Sequence, residues 1–256
     1  MTSTTLDDTN RALAKVPEVT LLFWVLKIAA TTLGETGGDA VSMSMKLGYL
    51  VGTAIFAVVF LIAVVIQIKA PRFHPVIYWV TIIATTTVGT TMADFCDRSL
   101  GIGYAGGSSL FLVLLLSSLL VWRLAMGTVS VESVSNPRAE TFYWVTIMFS
   151  QTLGTALGDW TADTAGLGYL GGVTIFVLLL AVVAGFYLFT RVSRTVLFWT
   201  AFILTRPLGA VVGDFLDKPH ASGGLALSRY SASGALIVFI LGCIWLLPQR
   251  AAETAH

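Results

Sequence analysis

"FWVLKIAATTLGETGGD", Phe23–Asp39, is an apolar run that closes on two acids, Glu35 and Asp39, set among glycines. The stretch recurs without a gap as "YWVTIIATTTVGTTMAD" from Tyr78, "YWVTIMFSQTLGTALGD" from Tyr143 and "FWTAFILTRPLGAVVGD" from Phe198. Trp24, Trp79, Trp144 and Trp199 head the copies. Ten residues after each stands a glycine (Gly34, Gly89, Gly154, Gly209), and five further an aspartate (Asp39, Asp94, Asp159, Asp214). A fixed register of this kind identifies a repeat architecture before any single residue is weighed.

The first three copies continue in step. "LGYLVG", "IGYAGG" and "LGYLGG" place Tyr49, Tyr104 and Tyr169 ten residues after the aspartate, whereas the fourth inserts "KPHASGGLAL" before Tyr230. Each copy reads as a helix, a short polar turn and a second helix.

Composition gives the solvent. The chain has 256 residues, 56% hydrophobic and 11% charged, with a mean hydropathy of +0.85. A soluble domain carries roughly 25% charged residues. Eight stretches are long enough to span a bilayer, near Glu18–Gly38, Leu47–Ile68, Pro75–Asp94, Tyr104–Leu124, Thr141–Trp160, Leu167–Phe189, Val196–Asp214 and Ser231–Leu247. In lipid every backbone donor and acceptor must be bonded internally, and continuous apolar runs satisfy this as helices. The expected fold is therefore all-α: a polytopic membrane bundle of eight helices from four parallel two-helix repeats.

The expected divisions are a polar tail at 1–15, repeats at 16–70 and 71–126, a linker at 127–139, repeats at 140–192 and 193–248, and a tail at 249–256. The tail "MTSTTLDDTNRALAK" lacks the apolar segment of a cleavable signal and reads as mobile. The middle linker is the best boundary between two halves. The tail and linkers between copies hold Arg11, Lys15, Lys69, Arg72, Arg123, Arg138, Arg191, Arg194 and Arg250; the turns inside copies hold Lys46, Arg98, Lys218 and Arg229. By the positive-inside rule both termini face the cytoplasm and the acidic turns face out.

This pattern resembles a family of bacterial integral membrane proteins built from four tandem copies of a repeat of unknown function, each with two membrane segments and a characteristic tryptophan. The resemblance runs from about Val16 to Leu247. It implies the architecture and the bacterial inner membrane, but no activity, so function rests on the residues.

Each repeat carries a second acid one helical turn from its aspartate: Glu35 with Asp39, Asp94 with Asp97, Asp159 with Asp163, Asp214 with Asp217. Spacings of three or four put both side chains on one helical face. An ionised aspartate at mid-membrane costs about 2.5–3.5 kcal/mol on insertion scales. A cation, a proton, an arginine or water must offset it. Small residues before the aspartates (Gly38, Ala93, Gly158, Gly213) let the helices approach closely, so the carboxylates are expected to converge.

Carboxylates and the nearby Thr31, Thr32, Thr86, Thr87, Thr90, Thr152 and Thr155 offer hard oxygens that suit Mg²⁺, Ca²⁺ or Mn²⁺. The expected metal ligands are Glu35, Asp39, Asp94, Asp159 and Asp214, and the wider ion site adds Asp97, Asp163, Asp217 and Arg206. Cys96 beside Asp94 and Asp97, with Met43 and Met45 near Asp39, leaves a softer metal open. "GETGGD" is also similar to the Glu-x-Gly-Asp motifs of membrane calcium/manganese–proton exchangers, with one more residue between the acids and a different repeat layout.

Two cations lie deep in the expected helices. Lys27 is placed to snorkel to the nearer interface. Arg206 pairs with one of the aspartates or acts as a built-in counter-cation, and Pro207 loosens its helix. Gly48/Gly52, Gly103/Gly107 and Gly168/Gly172 read as close-packing pairs.

The net charge of +1 points to no nucleic-acid partner, two cysteines form no framework, and no Walker motif or useful Ser/His or Cys/His spacing is present. The expectation is a non-enzyme with no permanent cofactor: a secondary transporter moving a divalent cation, manganese among them, out of the cytoplasm against protons. A proton-coupled transporter of a small organic molecule and a non-transporting sensor or scaffold stay open. The partners are lipid, the cation and protons; the oligomeric state is not set.

Overall fold

The computed structural model describes residues 15–252, so residues 1–14 and 253–256 of the two expected tails lie outside the described residues. Eight long helices follow the expected spans: α1 Leu21–Asp39, α2 Tyr49–Lys69, α3 Pro75–Asp94, α4 Gly103–Met126, α5 Pro137–Asp159, α6 Gly168–Phe189, α7 Arg194–Asp217 and α8 Arg229–Leu246. All of them except α1 and α5 are long and apolar enough to cross a membrane. The other two hold the same place in their repeats but carry more polar side chains. The protein is a helical membrane bundle.

The helices form two rings. In α3 and α7, 72% and 67% of the apolar window is buried, against 17% or less in α2, α4, α6 and α8. The tryptophan helices α1, α3, α5 and α7 pack side by side in that order, and α7 closes on α1. Each second helix packs mainly on the first helix of the following repeat: α2 on α3, α4 on α5, α6 on α7, and α8 back on α1. The repeats therefore interlock. The 127–139 linker does not separate two halves; Val131 and Val134 are buried, and Val129 O accepts from Trp199 Nε1 at 2.9 Å.

The aligned glycines explain the inner ring. Gly34 faces Thr86, Gly89 faces Gln151, Gly154 faces Arg206 and Gly209 faces Thr31. Each is the glycine ten residues after its tryptophan, meeting the residue seven after the next tryptophan. Between Gly154 and Arg206, or Gly209 and Thr31, no Cβ fits. Lipid supplies little hydrophobic drive for helix association, so such close approach supplies the packing.

The tryptophans with Phe23, Tyr78, Tyr143 and Phe198 form an aromatic layer near the end that carries the termini, with ring contacts such as Phe23–Trp79 at 5.6 Å and Tyr78–Trp144 at 5.7 Å. Tyr78 and Tyr143 share a hydroxyl hydrogen bond of 2.7 Å. First and last repeats also meet there, through Glu18 N to Arg250 O and Ala252 N to Val16 O, both 2.9 Å.

At the other end, α1, α3 and α5 each widen after the aspartate into a π-helical turn, Ala40–Ser44, Phe95–Ser99 and Trp160–Thr164. Gly48, Gly103 and Gly168 then start or precede the second helix at φ of 77°, 68° and 64°, with open space around them. Their role is conformational rather than the expected close packing, since left-handed backbone favours glycine. Gly52, Gly107 and Gly172 are the packed members of those pairs.

Candidate functional site

Three polar layers stack along the axis of the inner ring, one helical turn apart, and each takes one residue from every repeat. The first, seven residues after the tryptophans, holds Thr31, Thr86, Gln151 and Arg206, all fully buried. The second, eleven after, holds Glu35, Thr90, Thr155 and Ala210. The third, fifteen after, holds Asp39, Asp94, Asp159 and Asp214, each at most 4% exposed.

Arg206 joins the first two layers. Its Nη1 and Nη2 donate to Glu35 Oε2 at 3.1 and 3.0 Å. Nη2 also donates to Thr90 Oγ1 at 2.6 Å and to Thr155 Oγ1. One guanidinium thus touches the second layer of all three other repeats. Its partner is Glu35, not one of the aligned aspartates. Pro207 does not interrupt α7, which runs unbroken to Asp217. Proline removes one donor, and the tight Gly154–Arg206–Pro207 contact holds that turn in place.

Lys27 does not reach the interface. It is fully buried, with Nζ 4.1 Å from the Phe202 ring centre and no hydrogen-bond partner. The expected threonine hydroxyls mostly bond back to their own helices, as Thr32 to Ile28 O at 2.9 Å and Thr87 to Ile83 O at 2.7 Å. Of the expected seven, Thr90 also reaches Glu35 and Arg206, and Thr155 accepts from Arg206.

The aspartate layer is cross-linked in two halves. Arg98 Nε lies 3.1 Å from Asp94 Oδ1, and its Nη2 lies 3.0 Å from Asp159 Oδ2. Lys218 Nζ lies 3.0 Å from Asp214 Oδ1 and 2.7 Å from Asp39 Oδ2. In both halves a cation four residues after one aspartate bridges to the aspartate of the next repeat. Arg98 also donates to Tyr49 Oη at 3.0 Å and Tyr104 Oη at 3.1 Å. Burial alone would lower the Lys218 ammonium, but Asp214, Asp39 and Asp217 hold it well above its ordinary value.

A family model described as Repeat of Unknown Function (DUF347) matches residues 22–73, 77–128, 142–193 and 197–250. The chain belongs to that family. No curated protein and no solved structure matches it. The four DUF347 repeats coincide with the four contributors to each polar layer, so the ring is the unit in which the repeat's carboxylate acquires neighbours.

The second acids do not form equivalent pairs. Glu35 lies a turn deeper than Asp39, on Arg206. Asp97 packs against Gly107 of α4, with neither oxygen hydrogen-bonded. Asp163 is exposed and accepts from Tyr104 Oη at 3.3 Å. Asp217 stays by the axis; Arg229 Nε donates to its Oδ2 at 2.5 Å and lies 3.6 Å from Asp39 Oδ2. The cause is the π turn. After Asp94 and Asp159 the chain follows π rather than α geometry, which brings Arg98 rather than Asp97 back onto Asp94 and leaves Asp163 exposed. In the fourth repeat the α-helix continues through Asp217, and the face is kept.

Among the described residues, oxygens of Asp39, Asp214 and Asp217 all lie within 4.8 Å of one another, the spacing needed to hold a metal ion. Asp94, Asp159 and Glu35 are outside that trio. The residues that sequence reasoning passed over are Arg98, Lys218 and Arg229, read only as turn cations. The Asp94–Arg98 and Asp214–Lys218 spacing of four was the available signal.

Proposed function

We propose that the chain is a secondary transporter that moves a divalent metal cation across the bacterial cytoplasmic membrane, exporting it in exchange for protons. The charge balance of the aspartate layer carries this reading. Asp39, Asp94, Asp159, Asp214 and Asp217 are buried beside Arg98, Lys218 and Arg229. Among the carboxylates that these cations contact, five against three leave two formal negative charges, which one divalent cation or two protons balance; Asp97, buried against Gly107, makes no ion pair with them. Buried charge at membrane depth needs such a partner. The donors are all oxygens, which suit Mn²⁺, Mg²⁺ or Ca²⁺.

Orientation follows from the basic residues. Lys69, Arg72, Arg123, Arg138, Arg191, Arg194 and Arg250 lie at the end that carries the termini. Three of the four cations at the other end are occupied by the buried aspartates, leaving Lys46. The positive-inside rule then favours cytoplasmic termini and an outward-facing aspartate layer. The protein acts on an ion rather than as an enzyme.

A second reading draws on Arg98. Its guanidinium rests on two carboxylates and lies 5.8 and 5.6 Å from the Tyr49 and Tyr104 rings, a setting that also suits an organic cation. Transport without added metal separates the two.

The test is metal tolerance in cells. Asp39→Asn and Asp159→Asn should each abolish tolerance to excess manganese while folded protein stays at its normal amount. Retained tolerance in both contradicts metal export.

A further inference from the structure

The two halves of the aspartate layer are built alike but held differently. In one, Arg98 is a planar fork fixed by Asp94, Asp159, Tyr49 and Tyr104. Such a fork is preorganised and not easily exchanged. In the other, Lys218 is a point charge on a flexible four-carbon stem, with only Asp39 and Asp214 as partners. It stands where α7 ends and the backbone turns extended before Pro219.

The carboxylates around Lys218 have capacity left. Asp39 Oδ1 and Asp217 Oδ1 are buried without a hydrogen-bond partner. Oxygens of Asp39, Asp214 and Asp217 share a 4.8 Å neighbourhood. An orphaned carboxylate oxygen in a dry site is costly unless a cation reaches it. The ammonium donates to Asp39 Oδ2 at 2.7 Å and lies 3.0 Å from Asp214 Oδ1, Arg229 takes Asp217 Oδ2, and Asp39 Oδ1, Asp214 Oδ1 and Asp217 Oδ1 are left without a hydrogen bond.

We infer that Lys218 is the tethered occupant of the ion site: a divalent cation enters the Asp39–Asp214–Asp217 trio by displacing its ammonium, while the Arg98 half is a fixed brace. This rests on the metal-transport reading and assigns which half of the layer does the binding. Ammonium and metal compete for the same lone pairs, so the lysine sets affinity from within. The fourth repeat's longer loop, which the other repeats lack, begins at Lys218. That loop folds back through Ala226 N to Lys218 O at 2.9 Å and Leu227 N to Leu216 O at 2.8 Å.

Mn²⁺ binding to the purified full-length protein, followed by loss of the free-ion electron paramagnetic resonance signal, tests this. Lys218→Met should bind Mn²⁺ at least about tenfold tighter than wild type, because the internal competitor is gone, and Arg98→Met should not tighten binding. If wild type binds Mn²⁺ and Lys218→Met binds no tighter, the assignment falls while the metal reading stands. If neither binds it, both fall. A readout on the unaltered protein covers a variant that does not fold. Mn²⁺ should raise reductive methylation of Lys218 severalfold while exposed Lys46 stays constant; unchanged labelling of Lys218 overturns the inference.

Discussion

Arg206 in the fourth repeat donates two hydrogen bonds to one oxygen of Glu35 in the first, at 3.1 and 3.0 Å, with both side chains buried. Removing one member of a buried pair strands a charge at a cost of about 3–5 kcal/mol, whereas removing both is far milder. Arg206→Met and Glu35→Gln should each destabilise the protein strongly, and the double variant should recover most of the loss. Thermal unfolding in detergent micelles compares the three; a double variant no better than the singles contradicts the pairing.

The aligned glycines make a sharper structural forecast. Gly154→Ala drives a methyl into Arg206 and Pro207 and should cost at least about 1–3 kcal/mol, as overpacking does. Gly185 on α6 has nothing within 4 Å, and Gly185→Ala should be neutral or stabilising by up to about 1 kcal/mol. The same melts decide it, and equal effects at the two sites would speak against interlocked repeats.

Lys27 buries an amine with no hydrogen-bond partner. Lys27→Met keeps much of the volume and removes a penalty of order 1–3 kcal/mol, so it should raise the melting temperature. A lysine that snorkels would give no gain, and a lowered melting temperature contradicts the placement.

Topology can be read by labelling. With the termini inside, a cysteine at Lys46 should react with a membrane-impermeant maleimide on intact cells, and one at Arg72 only after lysis. The background is Cys96→Ala/Cys243→Ala, since both native thiols are free and half-buried. The reverse pattern would invert the direction of transport.

Much of this was legible in the chain. Each span needs about 20 apolar residues, so the eight helices stood out, and the gapless register from Trp24 to Asp39 and its copies marked which residues share a layer. The pairing of each second helix with the next repeat carried no local signal, because helices such as α6 are apolar all round. The second acids misled because the i, i+3 and i, i+4 rule assumes a continuous α-helix. It held for Glu35–Asp39 and Asp214–Asp217 and failed for Asp97 and Asp163 in the π turns, where Arg98 instead of Asp97 meets Asp94. Lys27 misled for a different reason: its side chain turns into the bundle, with the ammonium over the Phe202 ring rather than at the interface.

Flux through reconstituted liposomes bears most directly on the claim that the aspartate layer carries a divalent cation. Protein-containing vesicles should move Mn²⁺ faster than empty ones, faster still with an opposing pH gradient, and not at all with Asp39→Asn or Asp214→Asn. Metal-independent vesicles, or Mn²⁺ flux that survives both substitutions, would contradict the account.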